Sequence, residues 1–452
     1  MREITIKELV EAVGGRLVGA SKDLRIAGVS TDTRNLKPGD VFFALVGENT
    51  DGHNYVLQAF ENGAVAAVVS NEVDIYGVLV YVPDTLKALG DLAAWYRRQL
   101  PVRVVGVTGS VGKTTTKEMI ASVLSRRFEV LKNEGNFNNE IGVPLTIFQL
   151  GDKHQILVQE MAMRLPGEIA RLAQICKPDI GVITNIGFSH IERLGTLDAI
   201  AAAKAELLEN LAPDGVAVLN ADDPYYEVLA EKSLGEIVSY GVEGGDVRGE
   251  DIAVDEVGRA TFSIVVGSSR EQVSLPVVGR HNVSNALAAA AVGLCFGLPL
   301  SEIAAGIEET PQVDKRANVF TSGGGWIVYD DTYNAGPASM QSALATLASM
   351  KCRRRIAVLG DMLELGDYAE SAHKEIGRAA AQSGLSLLVT VGSLAEHIAT
   401  GAREKDGGLD IHRFSSSDEA AKVIREMVLP GDIVLVKGSR AMKMENVVES
   451  LR

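Results

Sequence analysis

Residues 102–117, VRVVGVTGSVGKTTTK, set an apolar, β-branched run directly before a glycine turn and a string of threonines. The run has strand character, and the turn opens into a helix at 113–116. A strand that feeds a helix through such a turn starts a parallel βαβ unit, whose sheet is covered on both faces. Gly109 and Gly112 free the backbone to curl its N–H groups around phosphate oxygens, and the helix N-terminus adds positive potential. Lys113 is placed to reach the β- and γ-phosphates of a nucleotide, and Thr114 to coordinate magnesium. Ser110 and Thr115 complete the loop. The segment is a shorter TGSxGKTT form: Val107 stands where the strict GxxxxGK[ST] spacing has its first glycine, and Gly106 comes one position early. A plain glycine turn is the alternative reading.

The rest of the chain repeats the alternation of strand and helix. At 452 residues it is too long for one ordinary core, and about three domains are expected. The expected class is α/β. A small N-terminal α/β domain covers 1–98, with strands at 40–45 and 64–69 and a helix at 85–99. Pro101 marks a junction. A central phosphate-loop domain with a mostly parallel sheet covers 99–311, with strands at 156–159, 180–184 and 216–219. Within it, 261–266 and 272–277 read as antiparallel strands of an appendage before a helix at 283–296. Pro311 marks a second junction. A Rossmann-like open α/β domain covers 312–452, with strands at 326–329, 355–359, 387–391 and 432–436.

Composition removes several classes. A formal net charge of −15 with 5% aromatics repels a phosphate backbone and offers few stacking platforms, so no nucleic-acid partner is expected. Three scattered cysteines give neither a disulfide framework nor a zinc spacing. The start, MREITIKELVEAVGG, lacks the layout of a signal peptide, and no apolar run reaches the about 18 residues of a membrane span. The expected location is the cytoplasm.

Three further residues carry possible chemistry. Glu160 ends an apolar strand, where open α/β sheets bind ligands. It is either a magnesium ligand or a strand-end charge in solvent. His190 follows the strand at 180–184 and is either structural or a ligand. Lys204 lies in AIAAAKAELLENL, and on pattern alone it is a solvated helix lysine paired with nearby glutamates.

Taken in order, TGSVGKTTTKE, GNFNNEIGVPLT (135–146), QEMAMRLPGEI (159–169), TNIGFSHIERLGTLDAIAAAKAE (184–206) and GRHNVSNALAAA (279–290) resemble the Mur ligases, ATP-dependent enzymes that build the peptide of bacterial peptidoglycan. The segments 30–55, 330–340, 358–373 and 435–448 resemble the branch of that family that joins D-alanyl-D-alanine to a UDP-N-acetylmuramoyl-tripeptide. The resemblance implies a monomeric, ADP-forming ligase that works through an acyl phosphate, with ATP and magnesium.

It also implies roles. Gly109, Ser110, Gly112, Lys113, Thr114 and Thr115 cradle the ATP phosphates. Thr114 and Glu160 hold one magnesium, and His190 a second. Lys204 matches a lysine carbamylated in much of the family, which reverses the bland reading. Lys113, His190 and Lys204 form the catalytic set. Asn136, Asn138 and Asn139 lie near the reacting carboxylate, or cap a turn. Asn282 meets the adenine, and His281 either joins it or serves as cap or packing. Arg316, a surface charge on its own, reaches the ATP phosphates, and Asp331 the ribose, with Tyr333 and Asn334 following in the same loop. Thr33 and Arg34 contact the uridine diphosphate, with Asn49, Asp51 and His53 as further candidates. Lys437, Ser439 and Arg440 anchor a substrate carboxylate or form a strand-end turn.

Two departures stand out: NAGP with Gly336 where the family often has NANP, and SHIERLG with Ile191 and Glu192 in place of the usual acidic residue. Rival readings are the preceding ligase, which adds the third amino acid and typically carries a DNPR motif absent here, and a non-catalytic nucleotide-binding regulator.

Overall fold

The computed structural model of the chain describes residues 1–19 and 24–452. They group into two compact units, each assembled from separate stretches. One comprises Met1–Thr108, Arg127–Gly181 and Glu206–Val216, and the other Gly109–Arg126, Val182–Ala205 and Ala217–Arg452.

In the first unit a five-stranded sheet runs in the order Arg16–Val18, Leu79–Tyr81, Ala66–Val69, Asp40–Phe43, Gly28–Ser30. All neighbours are parallel except Arg16–Val18, which pairs antiparallel with Leu79–Tyr81. Asp40–Phe43 and Ala66–Val69 are buried along their whole length, as parallel strands covered on both faces must be. Beside this sheet in sequence, Val130–Lys132, Ile156–Glu160 and Arg103–Thr108 form a parallel ladder with Ile156–Glu160 in the middle. The helix Thr85–Arg98 starts on Asp84, whose carboxylate accepts the N–H groups of Leu86 and Lys87 at 2.8 and 3.0 Å. Tyr96 is buried near its end. The Tyr96 hydroxyl donates to the Leu150 carbonyl at 2.8 Å and accepts the Arg2 N–H at 2.7 Å, so the first hundred residues and the 127–181 stretch share one packed body.

The second unit holds a six-stranded sheet in the order Asn318–Thr321, Ile327–Asp331, Asp432–Lys437, Arg354–Gly360, Leu387–Val391, Asp410–Phe414. Only the edge strand Asn318–Thr321 is antiparallel. Val328, Val358, Val389, Val434 and Val436 make its core with Met444, Val447 and Leu451 of the last segment. Trp326 closes that core by donating its indole N–H to the Leu451 carbonyl at 2.9 Å. The expected antiparallel appendage is present, and its strands are longer than the sequence pattern indicates: Val247–Val254, Arg259–Val266 and Ser269–Val278. The α/β class with mostly parallel sheets is the one observed. Among the described residues no helix is long and apolar enough to cross a membrane.

Three chemically useful side chains stand at strand ends. Glu160, Asp331 and Lys437 are each the last residue of a parallel strand. That is the edge of an open α/β sheet at which ligands bind. At the opposite end of the central strand, fully buried Asp432 accepts two bonds from Arg354, at 3.0 and 2.5 Å, and the Leu429 N–H at 2.7 Å. Removing the carboxylate leaves the Leu429 N–H without its acceptor and Arg354 with only the Met427 carbonyl at 3.1 Å. Asp432→Ala is therefore expected to cost about 3 kcal/mol, the lower end for breaking a buried pair because Arg354 is partly exposed. Urea denaturation checks this.

Candidate active site

The strand Arg103–Thr108 ends at the phosphate loop, and the helix Lys113–Leu124 begins at its far side. The loop is fastened to the chain after the strand Ile180–Ile183. Asn185 grips it three times: its carbonyl accepts the Ser110 N–H, its Oδ1 the Val111 N–H, and its Nδ2 donates to the Val111 carbonyl, each at 2.9 Å. Thr184 Oγ1 donates to the same carbonyl at 2.6 Å. Ser110 Oγ donates to the Gly187 carbonyl at 3.0 Å and accepts the Gly187 N–H at 2.8 Å. One turn further, Asp223 accepts the Ile186 N–H at 2.8 Å. Two glycines make the close approach possible. Gly109 has φ +147°, and a Cβ there would lie 1.9 Å from Thr184 Oγ1; at Gly112, φ +86°, it would lie 2.4 Å from Asn285 Oδ1. Gly109→Ala is expected to weaken ATP binding at least about tenfold and to destabilise the fold by about 1–3 kcal/mol. Calorimetric titration with ATP and thermal unfolding check the two effects.

What the loop holds is positive. Lys113 Nζ donates to the Gly109 carbonyl at 2.8 Å and the Ser110 carbonyl at 3.3 Å. Lys204 Nζ donates to that same Gly109 carbonyl at 2.9 Å. Lys204 is 2% exposed, so it is not the solvated helix lysine that the pattern alone suggests: Ile200, Ala201, Ala203 and Ala205 are buried around it. Burial first, and the charge of Lys113 second, push its pKa well below the ordinary lysine value. His190 completes the group. It sits in a left-handed backbone (φ +58°) just before the short helix Ile191–Leu194. Burial depresses its pKa, Glu364 opposes this, and Lys113 and Lys204 add to the depression. A Glu364 carboxylate oxygen lies 2.7 Å from His190 Nδ1. The three residues of the expected catalytic set are thus together, with two lysine amines on one carbonyl at the start of a helix whose first N–H groups have no intrahelical partner. Such an arrangement fits a polyphosphate.

A second cluster lies in the same unit. Asp331 pairs with buried Lys437 at 2.5 Å and accepts the Ala317 N–H at 3.2 Å. Lys437 also donates to the Asn334 carbonyl at 2.9 Å. The Arg316 guanidinium lies over the Tyr333 ring, 3.8 Å from its centre, so Arg316 is a held residue and not a loose surface charge. Asn282 is buried and turned inward, donating to the Val278 carbonyl and accepting from Asn285, both at 2.8 Å. His281 is exposed and makes no side-chain cap. A Cβ on Gly279 would meet its ring at 2.4 Å, so the ring lies over that glycine. Gly336 has φ −153°, open to any residue, so the departure from NANP asks nothing of the backbone. Ser439 Oγ accepts the Leu363 N–H at 2.9 Å, and Arg440 pairs with Glu445 at 2.7 Å.

The first unit carries the other candidates. Glu160 is 2% exposed, not a strand-end charge in solvent, and accepts from Asn138 Nδ2 at 2.8 Å. Asn139 takes the capping role, accepting the Gly142 N–H at 2.8 Å, while Asn136 is exposed. Thr33 is buried and donates to Gln58 at 3.2 Å; Arg34 is exposed and clasped by Asp32 at 2.7 Å. Asp51 and His53 are tied to each other at 2.6 Å, and His53 Nε2 accepts the Ser70 N–H at 2.9 Å, so both serve local structure. Asn49 is exposed.

Thr184, Asn185 and Glu364 escaped the reading of the sequence as site residues. The first two lie in the TNIGFSH segment beside His190, and the threonine–asparagine pair closing a strand was the available signal. Glu364 had none, being far from His190 in sequence.

Three family descriptions match in succession: "Mur ligase family, catalytic domain" over residues 25–105, "Mur ligase middle domain" over 107–293, and "Mur ligase, glutamate ligase domain" over 315–440. The UDP-N-acetylmuramoyl-tripeptide–D-alanyl-D-alanine ligase of Synechocystis is 40% identical, over 99% of this chain and 96% of its own. The crystal structure of MurF from Acinetobacter baumannii superposes with a TM-score of 0.93 at 34% identity, covering 100% and 99% of the two chains. That of MurF ligase from Thermotoga maritima in complex with ADP gives 0.83 at 30% identity, covering 94% and 96%. The chain belongs to the Mur ligase family and groups with its UDP-N-acetylmuramoyl-tripeptide–D-alanyl-D-alanine ligases.

Proposed function

We propose that this chain joins D-alanyl-D-alanine to UDP-N-acetylmuramoyl-tripeptide in an ATP-driven, ADP-forming ligation of peptidoglycan synthesis. The observation that carries the reading is the convergence of Lys113 and Lys204 on the Gly109 carbonyl of a glycine loop at a helix N-terminus. A carboxylate is a poor electrophile. Its attack on the γ-phosphate of ATP gives an acyl phosphate and ADP, and the dipeptide amine then displaces phosphate. The first step brings two anions together, so cations and N–H donors must offset their repulsion before it occurs. Lys113 serves the phosphates directly.

Lys204 serves as a carbamate. Its depressed pKa supplies the neutral amine that reacts with CO₂, and the product is an anion among cations. Thr114 and Glu160 offer the hard oxygen donors that magnesium prefers, and His190 a nitrogen donor. Magnesium, when bound, would neutralise phosphate charge. Asn282 and His281 serve the adenine side, Asp331 the ribose and Arg316 the phosphates, while Tyr333 and Asn334 contact the substrate. Thr33 and Arg34 serve the nucleotide of the sugar, and Asn136, Asn138 and Asn139 the acceptor carboxylate region. The proposed domains are 1–98, 99–311 and 312–452; the enzyme acts as a monomer in the cytoplasm, with small-molecule partners only.

The test is phosphate release with the nucleotide tripeptide, in its lysine and diaminopimelate forms, against single amino acids and dipeptides. Release that requires both tripeptide and D-alanyl-D-alanine is expected. Equal release with a single amino acid, or from ATP alone, would exclude the assignment.

A further inference from the structure

The rim of this centre differs from its interior. Of the side chains that act on His190, Lys113 and Lys204 are the lysines of the interior and Glu364 is the carboxylate. Glu364 is 44% exposed at its side chain and reaches inward only with one edge, 2.7 Å from His190 Nδ1. It stands on the segment that follows the strand Arg354–Gly360, and that segment clasps the His190 loop. The Glu192 N–H donates to the Glu364 carbonyl at 3.3 Å, and a Cβ on Gly366 would lie 3.2 Å from Glu192. Phe188 and Tyr368 stand ring to ring, 5.7 Å between centres, and both remain open to solvent, 41% and 44% exposed.

The clasp is stiff. His190 and Glu364 both hold left-handed backbone, φ +58° and +63°, a costly conformation for residues with a Cβ that persists where the surroundings impose it. Behind Glu364, buried His373 donates from Nδ1 to the Ala369 carbonyl at 2.6 Å and accepts the Met362 N–H on Nε2 at 2.9 Å. Ser439 holds the Leu363 N–H at the same time. Beyond any support that it gives His190, an exposed carboxylate at the rim repels a polyanionic nucleotide and does not itself serve to bind it.

A carboxylate at the exposed rim, in the same clasp as two exposed aromatic rings that face each other, is complementary to a ligand with an ammonium head and small apolar groups. ATP and the nucleotide tripeptide are both polyanions. On the ligase reading, upon which this step rests, the remaining substrate is a dipeptide that arrives with a free ammonium and two methyl groups. We infer that Phe188, Glu364 and Tyr368 form the dock for the amino end of the acceptor dipeptide. Glu364 pairs with its ammonium, and the two rings cover the adjacent methyl. The dock holds the amine beside His190, next to the lysines where the acyl phosphate forms.

The test measures KM for each substrate in Glu364→Gln, which removes the charge and keeps the shape. The KM for D-alanyl-D-alanine is expected to rise at least tenfold, while those for ATP and the nucleotide tripeptide stay within twofold. N-acetyl-D-alanyl-D-alanine, which lacks the ammonium, is expected to compete poorly with the dipeptide in the native enzyme, and the gap between their affinities is expected to close in Glu364→Gln. Tyr368→Ala, on the exposed lip, is expected to raise the dipeptide KM several-fold. An unchanged dipeptide KM in Glu364→Gln overturns the inference. So does a fall in kcat with every KM held, which would make Glu364 a support for His190 alone. If the native enzyme shows no turnover that depends on the dipeptide, the ligase reading falls and the dock falls with it; turnover with an unmoved KM sinks the dock only.

Discussion

Lys113→Ala is expected to lower ATP turnover by at least about 10²–10³-fold while the chain stays folded, since removing one preorganised donor to developing phosphate charge costs on that order. The fold survives for local reasons. Lys113 is the first residue of its helix and half-buried, and alanine is a strong helix former there. The Gly109 carbonyl that it holds keeps a second donor in the variant, because Lys204 still reaches it. The change in stability is therefore expected within about 1 kcal/mol. A coupled assay of ADP formation beside a thermal melt separates the two. Native-level turnover in the variant would remove Lys113 from the phosphate site.

Lys204→Ala is expected to be equally severe and to differ in kind. If the working side chain is a carbamate, a short carboxylic acid can enter the space left by the lysine and restore part of the activity. Lys113→Ala should show no such rescue. Lys204→Met sharpens the contrast. The unmodified lysine is buried beside Lys113, so an apolar side chain of similar length relieves a cost of about 1 kcal/mol or more in the uncarbamylated chain. For a chain of this size each kcal/mol corresponds to a rise in Tm of about 1–2 °C. Loss of turnover together with a raised Tm is the expected pair, the pattern of a residue kept for function against stability. Full activity in Lys204→Ala without added acid would end the carbamate assignment.

The phosphate loop was legible because its requirement is local. Gly109, Gly112, Lys113 and Thr114 must follow one strand and open one helix, and a single short stretch of sequence contains that whole condition. The parallel strands were legible for a related reason: strands such as Ala66–Val69 and Asp432–Lys437 are buried on both faces and read as continuous apolar runs. Lys204 was misread on pattern because helical periodicity counts charges and does not weigh the alanines that let a helix sink. Only the resemblance to the Mur ligases corrected it. Glu364 was invisible, since its meaning lies in a contact with His190 that only the folded chain supplies. The asparagines show a third case. Asn138 and Asn139 are adjacent and chemically alike, yet one holds Glu160 and the other caps a turn.

The proposed chemistry depends first on residues 108–115 wrapping a triphosphate. A crystal structure of the chain with a non-hydrolysable ATP analogue and magnesium measures this directly. The β- and γ-phosphates are expected inside the loop, with Lys113 Nζ moved from the Gly109 carbonyl onto their oxygens. A triphosphate seated elsewhere, with Lys113 still folded onto Gly109, would contradict the account.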